Sequence, residues 1–241
     1  MNISLQPAYV LHRRPYRETS ALVDFFTPEY GRLIAVAKGV RKARSLQQGL
    51  LQPFVPLLIS WVGKGELVTL TQVERAPIAP QYKIKPLYGT CLFAGFYLNE
   101  LLISLLQKFD AHPGLYHRYE MTLLALQTPV LEQKVLRLFE KHLLEELGYG
   151  LLPTSEPMLQ RTFAAEKYYQ FTFENGFIIN EIENYPEVET HVFSGKSLMA
   201  LANEQWPDAE SLQDAKRLLR SVLMTLLGRR RLHSRRLFVG Y

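Results

Sequence analysis

The amino-acid sequence predicts an α+β protein in which a five-stranded β-barrel of the OB type precedes a mainly helical domain. Short apolar runs separated by turn signals fill the first 80 of the 241 residues. Beyond them apolar residues recur at helical spacing, and one later segment alternates as a β-hairpin does. The predicted domains are residues 1–79, which form the barrel, and residues 80–241, which contain the helices, a small hairpin and a basic C-terminal tail.

The five strands of the predicted barrel follow one another at steady spacing. Two turn sequences mark the gaps, T-P-E-Y-G after the second strand and G-K-G before the fifth. Five strands in about 75 residues suit an OB barrel, and an SH3-like barrel fits the number of strands almost as well. The strands are predicted at residues 8–11, 20–26, 32–37, 53–62 and 66–73.

Helical periodicity begins after a linker rich in proline and alanine at residues 76–80. A hairpin is predicted near residues 166–181, because Asn175-Gly176 favours a two-residue turn. The apolar segment at residues 87–106 has the length of a membrane span, but Asn99 and Glu100 within it favour a buried core helix, so no membrane is expected as a partner. Helices are predicted near residues 86–108, 115–127, 130–147, 197–203 and 208–228.

The composition limits the possible classes of function. Hydrophobic residues make up 47% of the chain, which is ordinary for a globular protein, and the formal net charge is +5. Cys91 is the only cysteine, so an internal disulfide and a multi-cysteine zinc site are both excluded. A chain without disulfides fits a reducing compartment, most simply the cytoplasm. We expect neither a metal nor another cofactor.

The familiar sequence motifs of catalysis are mostly missing, and we predict that the protein is not an enzyme. Gly195-Lys196-Ser197 resembles the end of a phosphate-binding loop, but Thr190 stands where that motif requires its first glycine. The start of a helix is the simpler interpretation of these three residues.

Positive charge is concentrated at the two ends of the chain. Residues 1–80 hold ten Lys or Arg against five acids, and residues 228–241 hold five Arg and no acid. Such clusters suit nucleic-acid phosphates, with Trp61 and nearby aromatic rings as possible stacking surfaces; the alternative is a charged surface that only contacts solvent. The candidate DNA-binding residues are Arg13, Arg14, Arg17, Lys38, Arg41, Lys42 and Arg44 in the barrel and Arg229, Arg230, Arg231 and Arg235 after the last helix.

Several segments resemble a known family in their order along the chain. They include V-L-H-R-R-P-Y-R-E-T-S from Val10, G-R-L-I-A-V-A-K-G-V-R from Gly31, L-L-Q-P-F-V-P-L from Leu50, F-S-G-K-S-L from Phe193 and L-H-S-R-R-L from Leu232. Over nearly its whole length the sequence resembles the RecO family of bacterial DNA repair proteins. The resemblance implies binding of single- and double-stranded DNA, annealing of complementary strands and help in loading RecA, in the cytoplasm near the nucleoid. An RNA-binding OB module is the alternative.

The resemblance also implies two protein partners, RecR and the C-terminal tail of the single-strand-binding protein. Family members bind that tail, which is acidic and ends in Phe, in their helical domain. The run from Leu136 to Glu140 offers a cation and apolar side chains, so Arg137 is the candidate partner-binding residue; the alternative is a core helix with Arg137 merely exposed to solvent. Many members carry a four-cysteine zinc site after an L-G-Y segment, but residues 151–162 contain no cysteine here, so zinc is not expected.

Overall fold

The computed structural model describes residues 2–43, 45, 47–77, 85–128, 132–152, 158, 161–180 and 191–238. The chain forms two compact units. The first is Met1–Glu132 together with Arg230–Tyr241, and the second is Gln133–Arg229. The predicted domain boundary near residue 79 separates the barrel from the helices, but it does not coincide with the division between these units, and it stays a prediction.

A closed barrel of five strands lies in the first unit. Its strands are hydrogen-bonded in the order β1-β2-β3-β5-β4, and β4 pairs back to β1. The pairing of β3 with β5 is parallel, whereas a simple up-and-down barrel contains only antiparallel neighbours. The predicted fold class is confirmed, and the strand order is that of an OB-fold. The strands are β1 Asn2–Tyr16, β2 Ser20–Thr27, β3 Gly31–Ala37, β4 Leu57–Val62 and β5 Val68–Arg75.

Strand β1 is much longer than the predicted run at residues 8–11. It pairs with β4 through residues 2–8 and with β2 through residues 9–16, so one strand serves two neighbours. The side chains that alternate inward along β2 and β3, such as Val23, Phe25 and Leu33, are fully buried and fill the barrel. Alternation of this kind is the reason these segments form strands with one core-facing side.

Two helices, α2 (Gly89–Leu105) and α3 (Pro113–Ala125), complete the first unit together with a short helix α1 (Gln47–Leu50) and a C-terminal 3₁₀ helix (Ser234–Phe238). The prediction that α2 is a core helix is confirmed. The buried Asn99 side chain donates a hydrogen bond to the backbone oxygen of Leu11 at 2.8 Å. The Tyr119 hydroxyl donates to the Asn99 side-chain oxygen at 2.6 Å, so one polar network joins α2 and α3 to β1.

No helix within the described residues is both long and apolar enough to cross a membrane. The apolar segment at residues 87–106 extends slightly beyond α2 at both ends. In the structure α2 spans Gly89–Leu105 and buries one side within the first unit.

The second unit combines a small sheet with helices. The predicted hairpin is present as β6 and β7, and β8 adds a third strand on the other side of β6. Helix α5 begins at Gly195, and the Ser194 side chain accepts a hydrogen bond from the Ser197 N–H at 3.1 Å. Gly195-Lys196-Ser197 therefore starts a helix; Thr190 lies outside the described residues. The elements are α4 Glu132–Glu146, β6 Tyr168–Thr172, β7 Gly176–Asn180, β8 Val192–Ser194, α5 Gly195–Ala202 and α6 Ala209–Leu227.

Candidate nucleic-acid interface

Two loops of the barrel that carry predicted basic residues are joined to each other. One is the turn between β1 and β2, and the other is the loop that follows β3. The Arg41 backbone N–H donates to the Thr19 oxygen at 2.9 Å, and the Arg41 guanidinium donates to the Arg17 backbone oxygen at 3.1 Å. Cations that lie 24 residues apart in the sequence are thereby brought together.

The loop after β3 packs into the barrel core through one side chain and exposes its cations to solvent. The Val40 side chain is buried in the barrel core, and Gly39 adopts a φ of +68°, a backbone conformation that favours glycine. Lys38, Arg41 and Lys42 lie around this anchor with exposed side chains. Arg44 lies outside the described residues.

The basic residues of β1 and its turn are also positioned by contacts. The Arg13 guanidinium donates to the Gln48 backbone oxygen in α1 at 3.1 Å. The Arg17 guanidinium lies 5.2 Å from the centre of the Tyr16 ring, a cation–π geometry, and Arg17 has a φ of +52°. Arg14 is exposed. We call the described members of this set the barrel cation cluster: Arg13, Arg14, Arg17, Lys38, Arg41 and Lys42.

One aromatic prediction is wrong. Trp61 was expected among the stacking surfaces, but only 1% of it is exposed, because it belongs to the barrel core. Its ring meets that of Tyr30 edge-on, with the two centres 5.1 Å apart. An indole in this position supplies packing free energy and cannot stack on a base.

The C-terminal arginines fall into two groups. Arg229 follows Gly228, which caps α6, and belongs to the second unit, whereas Arg230, Arg231 and Arg235 belong to the first. The Arg230 guanidinium hydrogen-bonds to the backbone oxygen of Ser104, near the C-terminal end of α2. A cation is favoured at the C-terminal end of a helix, so the contact of Arg230 stabilises the fold. Arg231 is exposed to solvent.

Arg137 lies in α4 and is only 6% exposed. Its guanidinium donates to a carboxylate oxygen of Glu140 at 2.8 Å. The alternative interpretation had two parts. Its first part is confirmed, because α4 is a core helix with Phe139 and Leu143 buried. Its second part, an Arg137 exposed to solvent, is wrong. The assignment of Arg137 as a partner-binding residue stays a prediction.

Two charged residues with several hydrogen-bond partners in the structure were not predicted from the sequence. Arg32, in β3, pairs with Asp24 at 3.0 Å and donates to the Ile103 backbone oxygen at 2.8 Å. Glu100, in α2, accepts hydrogen bonds from the C-terminal segment. Neither has a local sequence signal for these long-range contacts, because Arg32 reaches Ile103, 71 residues away, and Glu100 reaches Ser234, 134 residues away.

Metal-binding groups are sparse in the part of the chain that the structure describes. There, no three His, Cys, Asp or Glu side chains lie close enough together to hold an ion. Cys91 is buried in α2, and burial raises the pKa of its thiol. A four-cysteine zinc site does not fit a sequence with one cysteine.

The topology first defines a class of protein. A barrel with this strand order is an OB-fold, and OB-folds bind oligonucleotides or oligosaccharides with one face and the adjoining loops. Here the loops present clustered cations, which make a surface suited to anions.

Comparison with known proteins then identifies the family. The family model for the N-terminal part of recombination protein O matches residues 1–77, and the model for its C-terminal part matches residues 89–236. The DNA repair protein RecO of Nitrosococcus oceani is 47% identical over 98% of this chain and 92% of its own length. The RecO proteins of Coxiella burnetii and Cellvibrio japonicus are 43% and 41% identical, over 97% and 98% of their lengths. The chain belongs to the RecO family.

Proposed function

We propose that the protein binds DNA and anneals complementary strands in recombinational repair, without catalysing a reaction. The observation that carries this proposal is the barrel cation cluster, in which Arg41 joins two basic loops of an OB barrel. The names of the relatives, all DNA repair proteins RecO, support the same role.

The mechanism that suits these residues is electrostatic. Lys and Arg side chains that pair with phosphates release counterions, and two strands neutralised in this way can approach without strong repulsion. Phosphate contacts carry no sequence information, which suits annealing of any pair of complementary strands. No step of this mechanism requires nucleotide hydrolysis or a metal, so we expect annealing in the absence of both.

Three partners accompany the proposal. RecR and the tail of the single-strand-binding protein are proposed as direct partners, and RecA as an indirect one, on the strength of family membership. For the tail we propose Arg137 as the cation that receives a carboxylate. The bond to Glu140 uses one nitrogen of the Arg137 guanidinium, and a guanidinium carries five N–H donors, so its remaining donors can receive a carboxylate of the tail.

An annealing assay tests the function directly. Complementary strands coated with single-strand-binding protein are mixed with the protein in the presence of a chelator and without ATP, and duplex formation is followed by fluorescence quenching. We expect acceleration over the coated strands alone. No acceleration would contradict strand annealing, and stronger binding to RNA than to DNA of matched sequence would favour the RNA-binding alternative.

A charge-neutralised variant tests the site. Replacing Arg41, Lys42 and Arg44 by Ala should weaken binding to every DNA sequence about equally and should reduce the slope of log K against log salt by about one per lost phosphate contact. Lys196→Ala is a control for the loss of a single positive charge outside the barrel, because Lys196 pairs with Asp208 at 2.5 Å and lies in the second unit. An unchanged slope in the triple variant would show that this loop does not hold DNA.

A further inference from the structure

The C-terminal segment, residues 230–238, lies along one face of α2 within the first unit. Arg230 contacts Ser104, Glu100 accepts hydrogen bonds from the middle of the segment, and the Phe238 ring meets the Phe93 ring edge-on at 5.9 Å between centres. Residues 93, 100 and 104 are seven and four apart, which is the spacing of one helix face. The segment therefore runs antiparallel to α2 and contacts it at three levels.

Glu100 makes the central contact of the three. Its carboxylate accepts the backbone N–H of His233 at 2.7 Å, the backbone N–H of Ser234 at 2.8 Å and the Ser234 hydroxyl at 2.6 Å. Ser234 is the buried first residue of the 3₁₀ helix, so Glu100 satisfies N–H groups that the helix itself leaves unpaired.

The contacts with the C-terminal segment stabilise the negative charge of Glu100. Burial acts to raise the pKa of the carboxyl, but the hydrogen bonds from Ser234 and His233 outweigh burial, and the pKa lies below its ordinary value. An ionised carboxylate accepts such bonds more strongly than a neutral one, and roughly doubles the strength of each.

The anchored segment carries a group of arginines. Glu100 binds His233 and Ser234, and three arginines lie within three residues of them in the sequence: Arg231, Arg235 and Arg236. The sequence contains no acidic residue from Ala215 onward. Long side chains on a mobile tail lose conformational freedom when they bind, whereas a fixed backbone has lost part of that freedom already. Fixing the segment therefore favours simultaneous contacts with several phosphates.

We propose that Glu100 is a positioning residue for nucleic-acid binding, which fixes the C-terminal segment so that Arg231, Arg235 and Arg236 meet the phosphate backbone together. The proposal deepens the proposed function and rests on it. It gives an acidic residue a favourable role in binding a polyanion, so replacing this residue should weaken DNA binding, whereas a pure charge effect would strengthen it.

The test replaces Glu100 by Gln. If only net charge mattered, removing an acid would strengthen binding to DNA. A positioning role has the opposite consequence: we expect about three- to tenfold weaker binding of a labelled single-stranded oligonucleotide and a salt slope lower by about one. Trypsin should also cleave after Arg231 and Arg235 sooner than in the parent protein, because the segment is released.

Two further variants complete the design. Glu66→Gln is the matched control, because it removes one acid from an exposed pair with Lys108 and should leave DNA binding equal or stronger. Ser234→Ala changes no charge and removes one of the three hydrogen bonds, so it should weaken DNA binding in the same direction but less. It also keeps the test valid if Glu100→Gln does not fold.

Three results would contradict the positioning role of Glu100. Binding by Glu100→Gln as tight as that of the parent, or release of the segment without loss of affinity, would overturn the positioning role. If replacing Arg231, Arg235 and Arg236 together by Ala leaves affinity unchanged, the arginines do not contact DNA and the inference fails. The proposed function itself is then still tested separately by the variant of Arg41, Lys42 and Arg44.

Discussion

Two arginines separated by nine positions show how differently the same residue type is used in this barrel. Arg41 is exposed, and its bonds to backbone oxygens leave its charge available for an anion. Arg32 is mostly buried, pairs with Asp24 and donates to a backbone oxygen at the end of α2. The difference follows from burial: a guanidinium removed from water needs a full set of partners, and an exposed one does not.

Replacing Arg32 by Met tests the structural half of this comparison. The change leaves Asp24 nearly buried without its ion-pair partner, and we expect a loss of about 3 kcal/mol in the free energy of unfolding. Urea unfolding followed by Trp61 fluorescence in a Trp206→Phe background reports on the first unit alone. Lys108→Met, which breaks the exposed pair with Glu66, should cost about 0.5 kcal/mol or less. Equal losses in both variants would contradict the distinction.

The buried pair of Arg137 and Glu140 changes how the proposed tail-binding role should be tested. Removing Arg137 alone would take the ion-pair partner at 2.8 Å away from the buried Glu140 carboxyl, a change that by itself destabilises a protein. The double variant Arg137→Met with Glu140→Gln removes both charges and avoids this penalty. We expect it to weaken binding of an acidic, Phe-ending peptide at least about tenfold, measured by fluorescence anisotropy, with DNA affinity nearly unchanged. Peptide binding equal to that of the parent would place the pocket elsewhere.

At the scale of elements, α2 is the helix around which the first unit is built. Asn99 attaches it to β1, and its C-terminal end is met by Arg32 from β3 and by Arg230 from the C-terminal segment. Three parts of the chain that are distant in sequence therefore converge on one helix. This arrangement accounts for polar residues in an otherwise apolar helix.

The contact between Glu100 and the C-terminal segment should depend on pH. Because the pKa of Glu100 is lowered in the folded protein, its stabilising effect is fully present above the ordinary pKa of 4.5 and is lost as the pH falls through the folded value. His233 also contributes to the lowered pKa of Glu100, so the comparison is made in a His233→Gln background. There the difference in melting temperature caused by Glu100→Gln should be constant from about pH 5.5 upward and should shrink below about pH 4.5. A difference that grows in acid would contradict this.

At the scale of the whole molecule, the barrel depends on helices that the sequence assigned to another domain. The buried rings of Tyr9 and Phe26 pack against Tyr116 of α3, with centres 5.6 and 5.5 Å apart. Cutting the chain at residue 79 would uncover these rings and remove the partners of Arg32 at the end of α2.

A fragment of residues 1–79 should therefore unfold without clear cooperativity, or at a melting temperature at least about 10 °C below that of residues 1–132, since several kcal/mol of apolar burial are lost. Thermal unfolding followed by circular dichroism compares the two. A fragment of residues 133–229 is the control for the second unit, which is continuous in sequence. Equal melting of 1–79 and 1–132 would support the predicted domain boundary at residue 79.

Local sequence patterns predicted most of the strands and helices, but they missed the shortest strand and misplaced the ends of others. Short apolar runs bounded by turn signals predicted β2 and β3, and helical spacing of apolar residues predicted α4 and α6, because an amphipathic helix buries one face with a period of 3.6 residues. Strand β8 has only three residues, too few for a period, and β1 exceeds its predicted run because its outer residues pair with β4. The loop from Lys38 to Ser45 was predicted as a basic cluster because its four positive charges are close together in sequence.

What the sequence determined by itself is the kind of protein: a five-stranded barrel with a helical region, two basic clusters, one cysteine and the resemblance to the RecO family, which implies an OB-fold. Tertiary structure alone decided which charges are available. Arg41 meets Arg17, Arg137 is buried against Glu140, Trp61 fills the core and Glu100 holds Ser234. The physical reason is that periodicity and charge density are local properties of the chain. Burial and hydrogen-bond partners depend on residues brought together from positions as many as 134 apart.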